Sequence, residues 1–177
     1  MAERGTMFMI VGPSGAGKDT LIAAAKKQLA ATHSFPRRTI TRPVVKDAEE
    51  YIAESVPEFE RQSREHRFAL TWKAHGLQYG IPVSIEDELK AGRHVVINVS
   101  RSVVETARTK YRPSCTVLVT ASPATLRARL VARGREVPAD LEERLARDQQ
   151  DVKPNVTVEN EASLETAIAS FIRALRS

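Results

Sequence analysis

Cysteine is nearly missing from this chain. Its single copy, Cys115, lies in the run Cys115-Thr116-Val117-Leu118-Val119, so neither a disulfide framework nor a thiolate metal site can form within the chain. A reducing, cytoplasmic setting is expected. No stretch approaches the roughly 20 apolar residues that span a bilayer. The polar residues 1–6 run straight into a short apolar segment that lacks a signal-peptide pattern, so no membrane partner is expected. Aromatic residues are only 5%, too few for a base-stacking platform. Lys plus Arg outnumber Asp plus Glu by 27 to 22, and a site for polyanionic small molecules accounts for that excess better than a nucleic-acid surface does. Repeats and low-complexity linkers are absent as well. At 177 residues the chain suits one domain with a sizeable core, hence one active site.

Short apolar, β-branched runs alternate with amphipathic segments that carry helix-start and helix-stop signals. That pattern predicts an α/β fold with a mainly parallel sheet and crossover helices. Met7–Val11 reads as the first strand, followed by a glycine loop and a helix over about residues 18–31. Residues 95–99 and 116–120 are continuous apolar or β-branched runs, as expected of strands covered on both faces. Ser102 with Glu105 predicts a capping box for a helix ending near Tyr111. Ser122-Pro123 supplies an N-cap and first-turn proline for a helix stopped at Gly134. Further helices are expected over about 140–150 and 163–175. In the second of these, Leu164, Ile168, Phe171, Ile172 and Leu175 share one face and are expected in the core. Residues 44–82 break the alternation, with Pro57, scattered aromatics and short runs at 68–72 and 77–81, and are read as an inserted subdomain over the mouth of the sheet.

Gly12-Pro13-Ser14-Gly15-Ala16-Gly17-Lys18 fits the first seven positions of the phosphate-loop pattern, between a predicted strand and a predicted helix. Glycines let successive backbone N–H groups converge on phosphate oxygens, and the helix N-terminus adds a fixed positive dipole. Lys18 is expected to bridge the β- and γ-phosphates of ATP. Asp19 stands where Ser or Thr normally ligates Mg²⁺, with Thr20 next. Its carboxylate is a candidate metal ligand, directly or through water; capping the first turn of the helix is the other reading.

Beyond the loop, the chain resembles the guanylate kinases and related nucleoside-monophosphate kinases nearly end to end. The resemblance rests on the phosphate loop, Thr39-Ile40-Thr41-Arg42-Pro43, His75-Gly76-Leu77-Gln78-Tyr79-Gly80, Arg133-Gly134-Arg135-Glu136 with Arg144-Leu145, and Asn160 before Ser163-Leu164. It implies a three-layer P-loop kinase in one domain, 1–177, with an acceptor-binding insertion at about 44–82 and an arginine lid at about 133–144. It also implies ATP and Mg²⁺ as cofactors, an acceptor phosphate held at Arg42 and Tyr79, lid arginines Arg133 and Arg144 on the transferring group, and Asn160 in the adenine-side loop. Arg127 and Arg129 are read as a solvated helix face.

The departures are informative. Guanylate kinases read guanine with two acidic side chains, whose positions align here with Leu70 and Asn98. Losing both acceptors removes several kcal/mol of recognition, at about 1.5–3 each for buried hydrogen bonds to charged groups. The replacement pattern resembles a narrower group, the ribose 1,5-bisphosphate phosphokinases of phosphonate degradation. Its features are present as Gly17-Lys18-Asp19, Ile40-Thr41-Arg42-Pro43, Trp72 with His75-Gly76 and Tyr79-Gly80, and Arg133-Gly134-Arg135-Glu136. A sugar bisphosphate offers phosphates and no base, so its pocket needs basic residues rather than base readers. Arg37, Arg38, Arg42 and Arg101 are available for the second phosphate.

Asn98 is read as a donor to a ribose hydroxyl or as a satisfied strand end, and Trp72 as packing under the acceptor subdomain. His75 is read as a sugar or phosphate contact or as a structural turn residue. Glu49, Glu50 and Tyr51 are either an acidic acceptor element or an exposed turn. The rivals are a guanylate kinase with altered base recognition, a catalytically silent guanylate-kinase-like binding module, and nucleic-acid binding. Oligomeric state stays open, a homodimer included.

Overall fold

Met7–Val11 is apolar at every position because it is central. The structure, a computed structural model that describes residues 3–44 and 50–177, buries all five of these side chains. Glu49 falls outside the described residues. In chain order the strands are β1 (Met7–Val11), β2 (His33–Ser34), β3 (Arg38–Ile40), β4 (Tyr51–Ala53), β5 (Phe68–Ala74), β6 (Leu77–Pro82), β7 (His94–Asn98), β8 (Ser114–Thr120) and β9 (Val156–Glu159). The helices are α1 (Lys18–Leu29), α2 (Val56–Arg64), α3 (Ile85–Lys90), α4 (Val104–Lys110), α5 (Pro123–Ala132), α6 (Leu141–Gln150) and α7 (Leu164–Leu175).

The first sheet runs in the order β2-β7-β1-β8-β9 and every pairing in it is parallel. Alternate side chains of β1 therefore enter two cores. Phe8 and Ile10 pack with Leu21 and Ala25 of α1 and Phe171 and Leu175 of α7. Met7, Met9 and Val11 pack with Leu89 of α3 and Val104 and Ala107 of α4. Helices thus cover both faces, which is the three-layer arrangement expected. Each of the larger side chains among these contributes about 1.5–3 kcal/mol relative to exposure.

The second sheet, in the order β4-β3-β6-β5, pairs β3 with β4 in parallel and is otherwise antiparallel. It begins at Arg38, six residues earlier than the expected boundary at 44, because Thr39 and Ile40 pair with Gly80 and Tyr79. It also carries α2, which has Ser55 as N-cap. His75 and Gly76 form the β5–β6 turn with φ of 52° and 74°. Both are left-handed, as a two-residue hairpin turn requires, so His75 acts there as an exposed turn residue.

Two local expectations differ. The serine that caps the segment after β7 is Ser100, whose Oγ accepts from the amides of the 3₁₀ turn Arg101–Val103 at Ser102; α4 starts only at Val104. Leu164 is 49% exposed rather than core. It is the first residue of α7, one turn short of the buried stripe that begins at Ala167.

At the edge of the first core, buried His33 accepts the Thr32 hydroxyl at Nδ1 and donates from Nε2 to the Leu175 carbonyl, both at 2.8 Å. Both ring nitrogens are spent in the neutral form, and the His94 ring lies 4.7 Å away. Burial pushes the His33 pKa below the ordinary 6.5, and the positive charges of His94, Arg176 and Arg93 push it the same way. The unfolded chain then binds the extra proton first, so stability is full above 6.5 and declines as pH falls below it. Glu58 and Glu161, each held at about 2, do not titrate in that window. Thermal melts between about pH 7 and pH 5 are expected to show a fall in Tm that is smaller in His33→Gln. Equal slopes in the two proteins would show that His33 is not responsible.

Candidate active site

The site is built at the C-terminal end of β1. Gly12 leaves the strand with φ 148°, and a Cβ there would lie 2.1 Å from the Val119 carbonyl oxygen of β8. Gly17, the N-cap of α1, has φ 89° and no room for a Cβ beside Asn160 Nδ2, which would be 2.4 Å away. Asn160 is buried and donates from Nδ2 to the Ala16 carbonyl at 2.9 Å. Lys18 Nζ folds back over the loop, donating to the carbonyls of Gly12 at 2.6 Å and Pro13 at 3.0 Å. No side chain caps the N-terminus of α1. The loop thus presents an ammonium, glycine amides and the positive end of a helix to one place, the ingredients of a phosphate cradle.

Asp19 is exposed at the start of α1, and its Oδ1 accepts from Asn98 Nδ2 at 3.1 Å. One carboxylate oxygen is thus oriented from β7. Among the described residues, no three His, Cys, Asp or Glu side chains converge on a metal site. A cation here would rely on Asp19 and on substrate phosphates, which suits Mg²⁺, an ion that keeps several waters and takes few protein ligands. Thr20 is exposed next to it.

From Asn98 the contacts continue into the second sheet. The Asn98 carbonyl accepts from Arg38 Nη1 at 3.4 Å, and the Arg38 guanidinium lies 5.4 Å from the Tyr79 ring centre. Tyr79 stacks on Trp72, with centroids 5.2 Å apart and planes within 3°. Leu70, on the same strand as Trp72, is 5% exposed and apolar. Arg42 forms a separate pair with Tyr51, its Nε donating to Oη at 3.3 Å and its guanidinium lying 4.5 Å over the ring. Tyr51 Oη donates in turn to the Pro43 carbonyl. Tyr51 is thereby separated from Glu50, whose carboxylate meets Lys26 at 3.3 Å. Arg101 opens the 3₁₀ turn three residues beyond Asn98.

The lid side holds a correction. Arg129 is no solvated helix residue: Nη2 donates to the Asn160 carbonyl at 2.7 Å and Nη1 to the Gly15 carbonyl at 3.3 Å. It ties the glycine loop to the segment after β9. The signal was its spacing, three residues after Leu126 and one before Leu130, both buried, which puts it on the flank of the packed face. Arg127 is exposed, as expected. The Glu161 carboxylate fastens the same segment to the start of α5, accepting from the Ser122 amide, the Ser122 hydroxyl and the Thr125 hydroxyl. Those bonds, the Thr125 hydroxyl first, hold its pKa down at about 2. Arg133 lines a cavity of about 210 Å³ with Gly17, Thr20, Arg129, Asn160 and Leu164, which explains why Leu164 is not in the core. Arg135, given no role from the sequence, donates to Ser14 Oγ at 3.2 Å. Arg144 is exposed on α6 and does not line that cavity. A larger hollow of about 490 Å³ on α4, lined by Glu105, Thr106, Thr109 and Lys110, contains none of the loop residues or their partners.

The profile of the guanylate kinase family matches residues 4–177. The ribose 1,5-bisphosphate phosphokinase of Acidiphilium cryptum is 48% identical over 177 residues, covering 99% of this chain and 94% of that one. Its counterpart from Bradyrhizobium diazoefficiens is 40% identical, covering 98% and 89%. Among solved structures, the guanylate kinase of Anaplasma phagocytophilum superposes with a TM-score of 0.74 over 99% of this chain and 86% of that chain, at 18% identity, a likeness of fold. The glycine loop, the parallel sheet around it and these relatives agree: the chain belongs to the guanylate kinase family of P-loop kinases.

Proposed function

We propose that this kinase transfers the γ-phosphoryl group of ATP to the 1-phosphate of ribose 1,5-bisphosphate, giving 5-phospho-α-D-ribose 1-diphosphate and ADP in phosphonate catabolism. An oxygen of the acceptor phosphate attacks the γ-phosphorus and the bond to the β-phosphate oxygen breaks. The acceptor is already ionised and no strong general base is needed, so positioning and charge neutralisation supply the catalysis. Lys18 and the backbone N–H groups of residues 14–18 hold the nucleotide phosphates, with Asn160 and Arg129 shaping the nucleotide side. Asp19, beside Thr20, helps hold Mg²⁺, which when bound neutralises phosphate charge. Arg38, Arg42, Tyr79, Asn98 and Arg101 serve the acceptor. Residues 133–144 act as the lid, Arg133 from beside the loop and Arg144 by moving inward on closure. Cytoplasmic ATP is the donor.

One observation carries the choice of acceptor. At the two base-reading positions the chain has a buried leucine, Leu70, and an asparagine, Asn98, whose amide is engaged by Asp19. Neither offers a carboxylate to a guanine edge, while Arg38 and Arg42 remain on the acceptor side. The relatives that carry the ribose 1,5-bisphosphate phosphokinase name support the same choice.

The test is ADP formation with ribose 1,5-bisphosphate and with GMP, assayed in parallel with Lys18→Ala as the blank. Turnover with the sugar bisphosphate is expected to exceed that with GMP by roughly 10²–10⁴-fold in kcat/KM, because the two charged acceptors missing for the guanine edge are worth about 1.5–3 kcal/mol each. Transfer to GMP alone would replace this reading with a guanylate kinase, and transfer to neither with a binding module.

A further inference from the structure

The strand order places three side chains in a row. β6 lies between β3 and β5, with Tyr79 directly opposite Trp72 on one side and opposite Ile40 on the other. Arg38, two residues before Ile40, shares its face and reaches back over the Tyr79 ring from the β3 side. Trp72 stacks against the same ring from the β5 side, within 3° of parallel. The phenol is thereby flanked by an indole and by a guanidinium. The other aromatic ring near the acceptor arginines, Tyr51, has Arg42 over it at 4.5 Å.

A nucleobase needs a flat face to stack on and polar groups at its edge. Here the ring faces are engaged internally, and the side chain next to Trp72 on the same strand face is apolar Leu70. Trp72 itself is 8% exposed, and its indole lies against the Tyr79 ring, the kind of flat face that a planar ligand would need.

We infer that Trp72 is a specificity-determining residue. Its indole occupies the stacking face of Tyr79, excludes nucleoside monophosphates from the acceptor site and holds the phenol in position for a base-free sugar phosphate. The inference rests on the proposed sugar-bisphosphate reading and explains how that choice is enforced. Trp72 acts through Tyr79 and by volume, so it is a positioning residue and contributes no chemistry.

The experiment compares wild type, Trp72→Ala, Trp72→Leu and Trp72→Phe with ribose 1,5-bisphosphate, GMP and AMP as acceptors, all at saturating ATP. In the Ala variant the ratio of kcat/KM for a nucleoside monophosphate to that for ribose 1,5-bisphosphate is expected to rise at least about tenfold, mostly through KM, the size that loss of a few packed groups produces. The KM for ATP is expected to stay unchanged. Trp72→Phe keeps an aromatic plane and is expected to retain the wild-type ratio within about threefold. Trp72→Leu keeps apolar bulk without the plane and follows the Ala variant, so it carries the test if the smaller residue does not fold. An unchanged ratio in both the Ala and Leu variants, or a Phe variant that shifts as far as they do, overturns the inference. A wild-type enzyme that fails to use ribose 1,5-bisphosphate overturns instead the reading on which it rests.

Discussion

Lys18→Ala is expected to lower kcat by about 10²–10³-fold or more while leaving the fold intact. The catalytic loss follows from the kind of reaction. In phosphoryl transfer the protein supplies preorganised charge where negative charge develops, and removing one such donor costs about 2.7–4 kcal/mol of transition-state stabilisation. Lys18 Nζ is preorganised in that sense. The Gly12 and Pro13 carbonyls that it meets belong to the loop itself, so the ammonium is parked at the phosphate site. The fold loses little. The two hydrogen bonds to loop carbonyls are worth about 1 kcal/mol each, and alanine is a good helix former. Lys18→Arg is expected to fail nearly as badly, because a planar fork cannot replace a compact point charge curled over glycine amides. The measurement is ADP release at saturating substrates, with far-UV circular dichroism and a thermal melt on the same samples. A variant within tenfold of wild type would remove Lys18 from the chemistry.

What was legible in the sequence was local. The phosphate loop could be read because glycines and a lysine at fixed spacing serve one purpose, and the flanking strand because a central parallel strand must be apolar on both faces. The cap Ser122 was legible because an N-cap acts on amides two or three residues away. Apart from the serine cap after β7, which is Ser100 and not Ser102, the features that were misread are settled by where distant segments pack. The second sheet starts at Arg38 because Ile40 pairs with Tyr79, and no periodicity within three residues can announce that. Arg129 looked like one more exposed helix arginine until β1 and β9 brought the Gly15 and Asn160 carbonyls to it. Leu164 fell on the apolar stripe of α7, yet the stripe reaches the core only from Ala167 onward, and Leu164 itself lines the cavity beside the loop. The link from Asp19 through Asn98 to Arg38 was beyond sequence reasoning altogether, because it joins α1, β7 and β3 through two hydrogen bonds.

Gly12→Ala is expected to lower the stability of the whole protein strongly, whereas Gly17→Ala is expected to act mainly on the nucleotide site at a smaller loss of stability. Both glycines have positive φ, 148° and 89°, so each substitution carries backbone strain of about 1–3 kcal/mol. They differ in what a new methyl group meets. At position 17 the obstacle is Asn160 Nδ2, the end of a side chain that can swing aside at the expense of its bond to the Ala16 carbonyl. At position 12 it is the carbonyl oxygen of Val119, 2.1 Å away in β8. That strand pairs with β1 through Val11 and Leu118 and with β9 through Val119 and Val158, so it cannot retreat without opening the central sheet. The Gly12 variant is therefore expected to lose at least about 3 kcal/mol, the top of the range for one strained residue. For a chain of this size that lowers Tm by about 6–12 °C. The Gly17 variant is expected to melt within a few degrees of wild type but to bind ATP more weakly, since Asn160 and the Ala16 carbonyl line the same loop. Thermal melts with and without an ATP analogue separate the two effects. If Gly12→Ala melts with the wild type, the loop leaves β1 with more freedom than its approach to Val119 allows, and rigid seating of the phosphate cradle on the central sheet is no longer tenable.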